Sequence, residues 1–527
     1  MRSDIDAGDI QAIARTAFGS LKSARYLLLR IADVDATRRW LSGLAPASVA
    51  HLHESNPADE SAEIYQIALT AAGLSKLGIR EDILTQFSPE FVEGMAGSEN
   101  RSRRLGDTGA NAPEHWEWGV DEKEPHILLI LLSSADRGDA FTARMREQVR
   151  NGGLSVMIDK SDSDMGGHEP FGFVDGISQP KFDWDRVRIP GTTADQDYTN
   201  LLALGELLLG YRNEYGLLTD RPLLASSEKN TDALPPGSHG RRDLGRNGSY
   251  LVYRQLAQDV RQFWRWVAEA AARSDVTMDE MAQSMVGRNL DGQPLGNLNV
   301  GRSIPGVSAC NAGRNGFLFD TDPDGLSCPL GAHIRRANPR TGDAPGGRSG
   351  PLDRLLIMLG LTTRRDNRPT SSTLPWPRNT TVWPFIRSED DAVASARFHR
   401  ILRRAREYGT KLSPQEALDP ATPDPEAGLH FLCLNANIAR QFEFVQSAWI
   451  ASAKFAALTG EQDPLLGNRE PFPTTPIATP VATDGFSRPG AAPRCRHLTG
   501  LPNFVRVRGG AYFFLPGLAA LKWIASG

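Results

Sequence analysis

The chain carries one local pattern twice, a short β-prone run that leads directly into a helix-prone segment. Residues 26–30 read YLLLR and precede ATRRWLSGL, while residues 250–254 read YLVYR and precede DVRQFWRWVAEAAA. In the second copy Phe263, Trp264 and Val267 recur at helical spacing, which predicts a buried helix face. Two such units in one chain predict an α+β protein made by duplication, although two strand–helix starts can also look alike by chance.

A second pair of segments repeats in the same way. Ile64–Gly78 (IYQIALTAAGLSKLG) and Leu429–Gln446 (LHFLCLNANIARQFEFVQ) each indicate a strand followed by a helix. Further strands are predicted later in each half, at His126–Leu132, Leu154–Asp159, Phe504–Val507 and Gly510–Phe514. The chain is therefore expected to fold as two similar halves.

A polar run rich in glycine and arginine, GSHGRRDLGRNGS, lies between the two halves. We place the boundary there and predict an N-terminal domain at 1–245 and a C-terminal domain at 246–527. Two stretches without periodicity, Asn338–Gly350 and Gln462–Arg494, are predicted to be long surface excursions.

The charge balance and the cysteine usage limit the classes of partner and the cellular compartment that we expect. The chain has 59 basic and 63 acidic residues with no basic block, which argues against nucleic acid and against an anionic membrane surface. The N-terminal segment lacks the apolar core of a secretory signal, and the longest apolar runs are too short to span a bilayer. Four cysteines without a C-x-x-C pair favour a reducing compartment, so we expect a cytoplasmic protein, either a monomer or a homo-oligomer.

The segment FGFVDGISQP, residues 171–180, places one acid between two glycines. Gly172 and Gly176 allow backbone angles that other residues avoid, so Asp175 is presented on a tight loop. Beside Phe171 and Phe173, a single carboxylate is suited to proton transfer against an apolar ligand. The same pattern also makes an ordinary turn, and this segment alone leaves both interpretations open.

The segment CPLGAHIRRANPR, residues 328–340, brings His333 after two small residues that leave room for a flat ligand. A neutral imidazole is a natural axial ligand for iron. Arg335, Arg336 and Arg340 follow on the same turn and could neutralise two carboxylates. The alternative is a surface histidine in a basic loop.

The segment HRILRRAREYG, residues 399–409, holds Arg403 in partly apolar surroundings. A guanidinium cannot lose its charge, so such an arginine can stabilise an anion that forms beside it. Arg400, Arg404 and Arg406 are predicted to form a solvated basic helix face.

In this order the three segments resemble the dye-decolorising peroxidases. Three other segments, NGSYLVYRQLAQDVRQFW, LNANIARQFEFVQSAWI and FVRVRGGAYFFLPGL, are similar to those of the longer members of that family. The resemblance extends over nearly the whole chain. It implies two ferredoxin-like domains, with haem b held mainly by the C-terminal one.

The resemblance implies a role for each matching residue. Asp175 would be the distal acid, Arg403 the distal arginine and His333 the proximal ligand of the haem iron. Leu429 and Phe431 would form the apolar pair that lines the distal pocket.

Two further positions concern the groups around the haem. The resemblance implies that Arg340 binds a haem propionate. It leaves the acidic partner of His333 open: Glu443 is a candidate, and Asn435 or Asn437 would be neutral substitutes.

The resemblance implies a peroxidase that reduces hydrogen peroxide and oxidises a small-molecule reductant such as a dye or a phenol. Aspartate, with a reference pKa of about 3.9, remains a base in mild acid, so we expect best activity in the acid range. Burial beside the two phenylalanines could raise that pKa. Bulky dyes would need an electron path from a surface aromatic residue, for which Trp449 is the candidate.

Two other functions compete with this one. A haem-handling protein would use His333 and the arginines but would give Asp175 and Arg403 no required role. A metal hydrolase could use His51 and His53, although one H-x-H is a weak signal.

Overall fold

The structure, a computed structural model, describes residues 5–54, 62–190, 201–296, 312–315, 317, 319, 322, 324–340, 396–471, 481–490 and 495–527. The strands of these ranges, in chain order, are β1 Ser23–Ile31, β2 Ile64–Leu69, β3 Ile127–Ser133, β4 Leu154–Ser161, β5 Lys181–Phe182, β6 Leu201–Leu202, β7 Leu223–Leu224, β8 Arg242–Asp243, β9 Ser249–Gln258, β10 Leu402–Arg403, β11 Arg406–Tyr408, β12 Ala427–Asn435, β13 Phe486–Pro489, β14 Cys495–Leu498 and β15 Val505–Leu515.

Helices connect these strands and cover the sheet. The α-helices of the described ranges are Val34–Ser42, His51–Glu54, Ala71–Lys76, Glu81–Leu84, Pro89–Glu93, Glu99–Leu105, Gly138–Asn151, Val260–Ser274, Met278–Val286, Ala312–Asn315, His333–Ala337, Pro414–Leu418 and Leu518–Ser526. Two π-helical segments, Ala439–Glu443 and Val445–Ile450, follow β12. No helix within these ranges is both long enough and apolar enough to cross a membrane.

One antiparallel sheet joins the two halves of the chain. Its order is β10-β12-β9-β15-β2-β3-β1-β4, and β11 also pairs with β12. The first half contributes β4-β1-β3-β2, and the second contributes β15-β9-β12-β10 in the same relative order. Each half is thus a split βαβ unit of the ferredoxin type. The predicted α+β fold with two ferredoxin-like units is confirmed, while the domain boundary at residue 245 stays a prediction.

The sheet is buried on both faces. Every residue of β3 and of β9 is buried, because helices and long connections cover the two sides. Along β9 the side chains alternate: Val252 and Leu256 enter one hydrophobic core, and Leu251 and Tyr253 enter the other. Leu429 and Phe431, the candidate functional residues of β12, lie two positions apart and both pack against the first of these cores.

The strand–helix starts at YLLLR and YLVYR are confirmed as β1 and β9 with their following helices. The second echo is paired wrongly, because β12 takes the place in its half that β3, not β2, takes in the other. The predicted strands Phe504–Val507 and Gly510–Phe514 are one strand, β15, whose register shifts between Val507 and Gly509. The Trp118 indole lies where a side chain on Gly509 would stand, which explains why this position is a glycine.

The predicted surface excursion Gln462–Arg494 is wrong at its start. Asp463 is completely buried, and its N–H donates to the carbonyl of Ile450 at 2.9 Å. Of the other predicted excursion, residues 341–350 lie outside the described residues.

Candidate active site

The loop that carries Asp175 depends on its glycines for its backbone conformation. Gly172 has φ +102° and Gly176 has φ +75°, both in the region that favours glycine. A Cβ on either glycine would meet no atom within 4 Å. The glycines are therefore required by their backbone angles and not by a close neighbour.

The side chain of Glu169 stabilises this loop by accepting hydrogen bonds from it. Its position just upstream of Asp175 in the sequence predicts such an ordering role. Its carboxylate accepts hydrogen bonds from the N–H groups of Phe171 and Phe173, both at 3.0 Å. The side-chain amide of Gln258 donates to the same carboxylate at 2.8 Å. Burial raises the pKa of Glu169 to about 7.

Asp175 and Arg403 form an ion pair. The Arg403 Nη1 lies 2.9 Å from Asp175 Oδ1, and the Arg403 N–H donates to Gln179 Oε1 at 3.0 Å. Strand β10 is thereby fastened to the Asp175 loop. Burial alone would raise the pKa of Asp175, but the Arg403 charge and the N–H of Gly176 outweigh it and hold that pKa below its usual value. The carboxylate is ionised over the whole neutral and mildly acid range.

His333 begins the short helix His333–Ala337 and is oriented by a carboxylate. Its Nδ1 lies 2.9 Å from Asp463 Oδ2, and Asp463 Oδ1 accepts the N–H groups of Leu465 and Leu466, both at 2.9 Å. Burial lowers the pKa of His333, but the charge of Asp463 outweighs it and raises that pKa. The pKa of Asp463 is lowered, because its partners outweigh the burial.

This arrangement fixes the imidazole tautomer. An ionised carboxylate only accepts hydrogen bonds, so Nδ1 of His333 carries the hydrogen and Nε2 keeps its lone pair. His333 lines a cavity, and its Nε2 has no hydrogen-bond partner within the described ranges. Nε2 is thus prepared to ligate a metal.

A cavity of about 240 Å³ brings these groups together. Asp175 and Arg403 line it together with His333, and the charges of Asp175 and His333 act on each other. Leu429 and Phe431 also line it, since residues two apart on β12 share one face. Other apolar side chains of its wall are Phe171, Phe173, Val174, Ile177, Leu256, Phe442, Val445, Ile450, Leu465 and Leu466.

The predicted partners of His333 are wrong. Glu443 is buried elsewhere, where it forms ion pairs with Arg101 and Arg104 and accepts the Tyr512 hydroxyl at 2.9 Å. Asn435 and Asn437 do not contact the imidazole either, because Asp463 takes that place. Asp463 lies 130 residues after His333, in a stretch that the sequence predicts to be surface loop.

The arginines after His333 lie outside the cavity wall. Arg336 is fully buried and donates to the backbone carbonyls of Trp449, Ser452 and Glu461. Arg335 pairs with Asp322 at 3.2 Å. Neither is placed to neutralise a ligand's carboxylates, so that expectation is wrong for both.

Arg340, predicted to bind a propionate, is buried and packs over the Phe317 ring. Its guanidinium donates to the carbonyl and side-chain oxygens of Asn315, and it does not line the cavity. The arginines that do line the cavity beside Arg403 are Arg288 and Arg400.

The basic segment around Arg403 is extended and not a helix. Arg400 is buried against the cavity and donates to Asn338 Oδ1 at 2.9 Å. Arg404 Nε donates to the Ile13 carbonyl at 2.7 Å, and Arg406 pairs with Asp162 at 3.0 Å. The predicted solvated helix face is wrong, because these side chains satisfy distant backbone and acidic groups.

Two other predictions from the sequence concern Trp449 as a surface electron-path residue and the His51–His53 pair as metal ligands. Trp449 is only 6% exposed and packs edge-on against His399 at 5.3 Å between ring centroids, so it is not a surface residue. His51 is exposed, and the side chain of His53 lies outside the described residues.

The residues of the cavity fit haem b. One imidazole with a free Nε2, backed by a carboxylate, is the donor that a haem iron takes from a peroxidase. The apolar walls suit a flat porphyrin, and Arg288 and Arg400 would supply positive charge for its propionates.

Sequence comparison leads to the same class of protein, although no family model matches the chain. A multifunctional dye peroxidase of Amycolatopsis is 26% identical over 528 residues, which cover 94% of this chain and 91% of that protein. A dye-decolorizing peroxidase of Mycetinis scorodonius is 27% identical over 477 residues, covering 87% and 76% of the two chains.

Solved structures share the fold. An ancestral D-type dye-decolorizing peroxidase matches with a TM-score of 0.68 at 23% identity, over 98% of both chains. A dye-decolorizing peroxidase in complex with 2,6-dimethoxyphenol matches with a TM-score of 0.67 at 22% identity, over 99% of this chain and 100% of the other.

Fold, cavity and relatives together define a haem peroxidase. Over most of its length the chain is similar to dye-decolorizing peroxidases, and the cofactor that its cavity fits is haem b.

Proposed function

We propose that the protein reduces hydrogen peroxide with Asp175 as proton carrier and Arg403 as electrostatic stabiliser, and that it oxidises dyes, phenols or similar one-electron donors. The observation that carries this proposal is the Asp175–Arg403 ion pair in the same cavity as a histidine whose Nδ1 is bonded to Asp463. An acid, a fixed cation and a metal-binding imidazole are the groups that peroxide cleavage needs.

His333 would hold the haem iron through Nε2, with Leu429 and Phe431 in contact with the distal space. When bound, the haem supplies the electrons that cleave the O–O bond and recovers them one at a time from the reductant. Asp463 keeps the Nδ1 hydrogen of His333 engaged and so increases the donor strength of the imidazole.

Asp175 moves the proton. Its pKa lies below the usual value, so the carboxylate is ionised and would accept a proton from one oxygen of the peroxide. It would then return this proton to the other oxygen, which leaves as water. A base and acid in one group contributes about 10²–10⁴ in rate.

Arg403 stabilises the negative charge that develops on the departing oxygen. Before the reaction its guanidinium is held by Asp175 and its backbone by Gln179, so little reorganisation accompanies the step. Such a contact lowers the activation barrier by about 3–4 kcal/mol, which increases the rate by about 10²–10³.

The competing function, haem handling without turnover, gives the ion pair no role. Asp175→Asn distinguishes the two, because Asn keeps the size of the side chain and removes the base. We expect unchanged haem content and a peroxide reaction slower by about 10²–10⁴. Asp164→Asn is the matched control: Asp164 lies shortly before the Asp175 loop and is half exposed, it pairs with Lys22 at 3.7 Å, and it accepts the Gly166 N–H at 3.0 Å, a bond that an Asn oxygen can keep.

The measurement is stopped-flow mixing of the haem-loaded variants with peroxide, together with a haem assay of the same samples. A wild-type rate in Asp175→Asn would contradict the proposed mechanism. A wild-type protein that binds haem and does not consume peroxide would support haem handling.

A further inference from the structure

A buried aromatic cluster lies on the face of the sheet opposite the cavity. It consists of Tyr26, Trp118, Tyr253, Tyr408 and His430. The His430 ring is 4.7 Å from the rings of both Tyr26 and Tyr408, and the Tyr253 ring is 4.9 Å from that of Trp118. Each ring thus has a neighbour within van der Waals range.

Within this cluster the hydroxyl of Tyr253 is bonded to His430. The Tyr253 oxygen lies 3.0 Å from His430 Nδ1, and His430 Nε2 lies 3.1 Å from the carbonyl oxygen of Ser161. A carbonyl only accepts, so Nε2 carries the imidazole hydrogen and Nδ1 is the acceptor. The Tyr253 hydroxyl therefore donates to a neutral imidazole.

The protonation states of the pair support this assignment. Burial lowers the pKa of His430 to about 4, and the positive charge of Lys160 acts in the same direction. The imidazole is therefore uncharged at neutral pH and can accept a proton. Burial also raises the pKa of Tyr253 well above its usual value, so the phenol keeps its proton until an electron leaves.

The pair lies behind the haem cavity, on the opposite face of the same sheet. His430 is flanked on β12 by Leu429 and Phe431, and both of these line the cavity from the other face. Because successive residues of a strand point to opposite faces, only the backbone of the sheet separates the pair from the cavity. Tyr253 lies on the neighbouring strand β9, where it is paired in register with Leu432 of β12.

We propose that Tyr253 is a one-electron redox site of this protein, with His430 as the base that receives its proton. This inference rests on the proposed peroxidase function, because the oxidant is the haem after its reaction with peroxide. The haem gains one electron from the Tyr253 phenol, and the O–H bond breaks. The proton moves to His430 Nδ1, which leaves a neutral phenoxyl radical beside an imidazolium.

The oxidation of Tyr253 can be reversed, because the transferred proton stays on His430. The imidazolium keeps its bond to the Ser161 carbonyl, and the buried surroundings hold the proton next to the phenoxyl oxygen. When a reductant restores the electron, the proton returns to Tyr253. The site would hold one oxidising equivalent outside the cavity when reductant is scarce.

The test is electron paramagnetic resonance on haem-loaded protein frozen after one equivalent of hydrogen peroxide, without reductant. We expect a phenoxyl signal that is lost in Tyr253→Phe. Tyr26→Phe is the matched control: Tyr26 is equally buried and its ring also contacts His430, but its hydroxyl is not bonded to that imidazole. The control should keep the signal.

A second measurement uses the wild type alone. A phenoxyl bonded to an imidazolium shows a hyperfine coupling that disappears after exchange into D₂O, and its absence would overturn the proposal. A signal of equal size in Tyr253→Phe, or no radical in a wild type that consumes peroxide, would overturn it while leaving the peroxidase function intact. A wild type that does not consume peroxide would refute both.

Discussion

The carboxylate behind His333 can be tested with one isosteric substitution, Asp463→Asn. Asp463 is completely buried, and Oδ1 accepts the N–H groups of Leu465 and Leu466. An Asn oxygen can keep those two bonds. Its amide nitrogen then faces His333 Nδ1 and donates where the carboxylate accepts.

This reversal changes the imidazole tautomer. With Nδ1 as the acceptor, the hydrogen of His333 moves to Nε2, the atom that faces the cavity. A protonated Nε2 has no lone pair for iron. Loss of such a partner typically reduces metal affinity by 10–100-fold, which is about 1.4–2.8 kcal/mol.

The assay is the rate of haem transfer from each variant to an excess of an apoprotein scavenger. We expect Asp463→Asn to release haem about 10–100 times faster than the wild type. Glu443→Gln is the control, because Glu443 is a buried acid bonded to arginines and Tyr512 and does not contact the imidazole. A wild-type release rate in Asp463→Asn would refute the role of this carboxylate.

Three further predictions concern Arg403, Asp175 and the loop that carries Asp175. Arg403→Leu should slow the reaction with peroxide by about 10²–10³ at unchanged haem content, measured by stopped flow; a loss of less than about tenfold would contradict its electrostatic role. Because the pKa of Asp175 is lowered, its base form is lost only as pH falls through that low value, so the rate should be level from neutrality to about pH 4, the reference pKa, and fall below it. In Arg403→Leu the same fall should lie at higher pH, and a rate that peaks above neutrality would argue against Asp175 as the base. Gly176→Ala should cost about 1–2 kcal/mol of unfolding free energy and also slow the peroxide reaction, whereas Gly500→Ala, at φ +81° with equally open space, should cost similar stability and leave the rate unchanged.

Local patterns in the sequence predict much of the fold. The β-prone runs of β1 and β9 and the helical spacing that follows them are properties of neighbouring residues, and the structure has both units. The division of β15 into two predicted strands is an error of the same local method. The two pieces form one strand because both pair with β9, which is distant in the chain.

The site shows the same limit. Asp175, His333 and Arg403 stand in short segments whose composition marks them, and the structure brings them to one cavity. Asp463 has no such mark, because its role depends on packing against a residue 130 positions earlier. The predicted basic helix face failed because Arg404 bonds the carbonyl of Ile13, a contact that no local pattern reveals.

The most direct test of the central claim is the absorption spectrum of haem-loaded protein before and after one equivalent of peroxide, for the wild type and His333→Ala. We predict a ferric Soret band that changes rapidly in the wild type and is restored by a phenolic reductant. His333→Ala should lose this response, because it lacks the imidazole that ligates the iron. A wild-type band that peroxide only bleaches slowly, or an unaltered response in His333→Ala, would contradict the account.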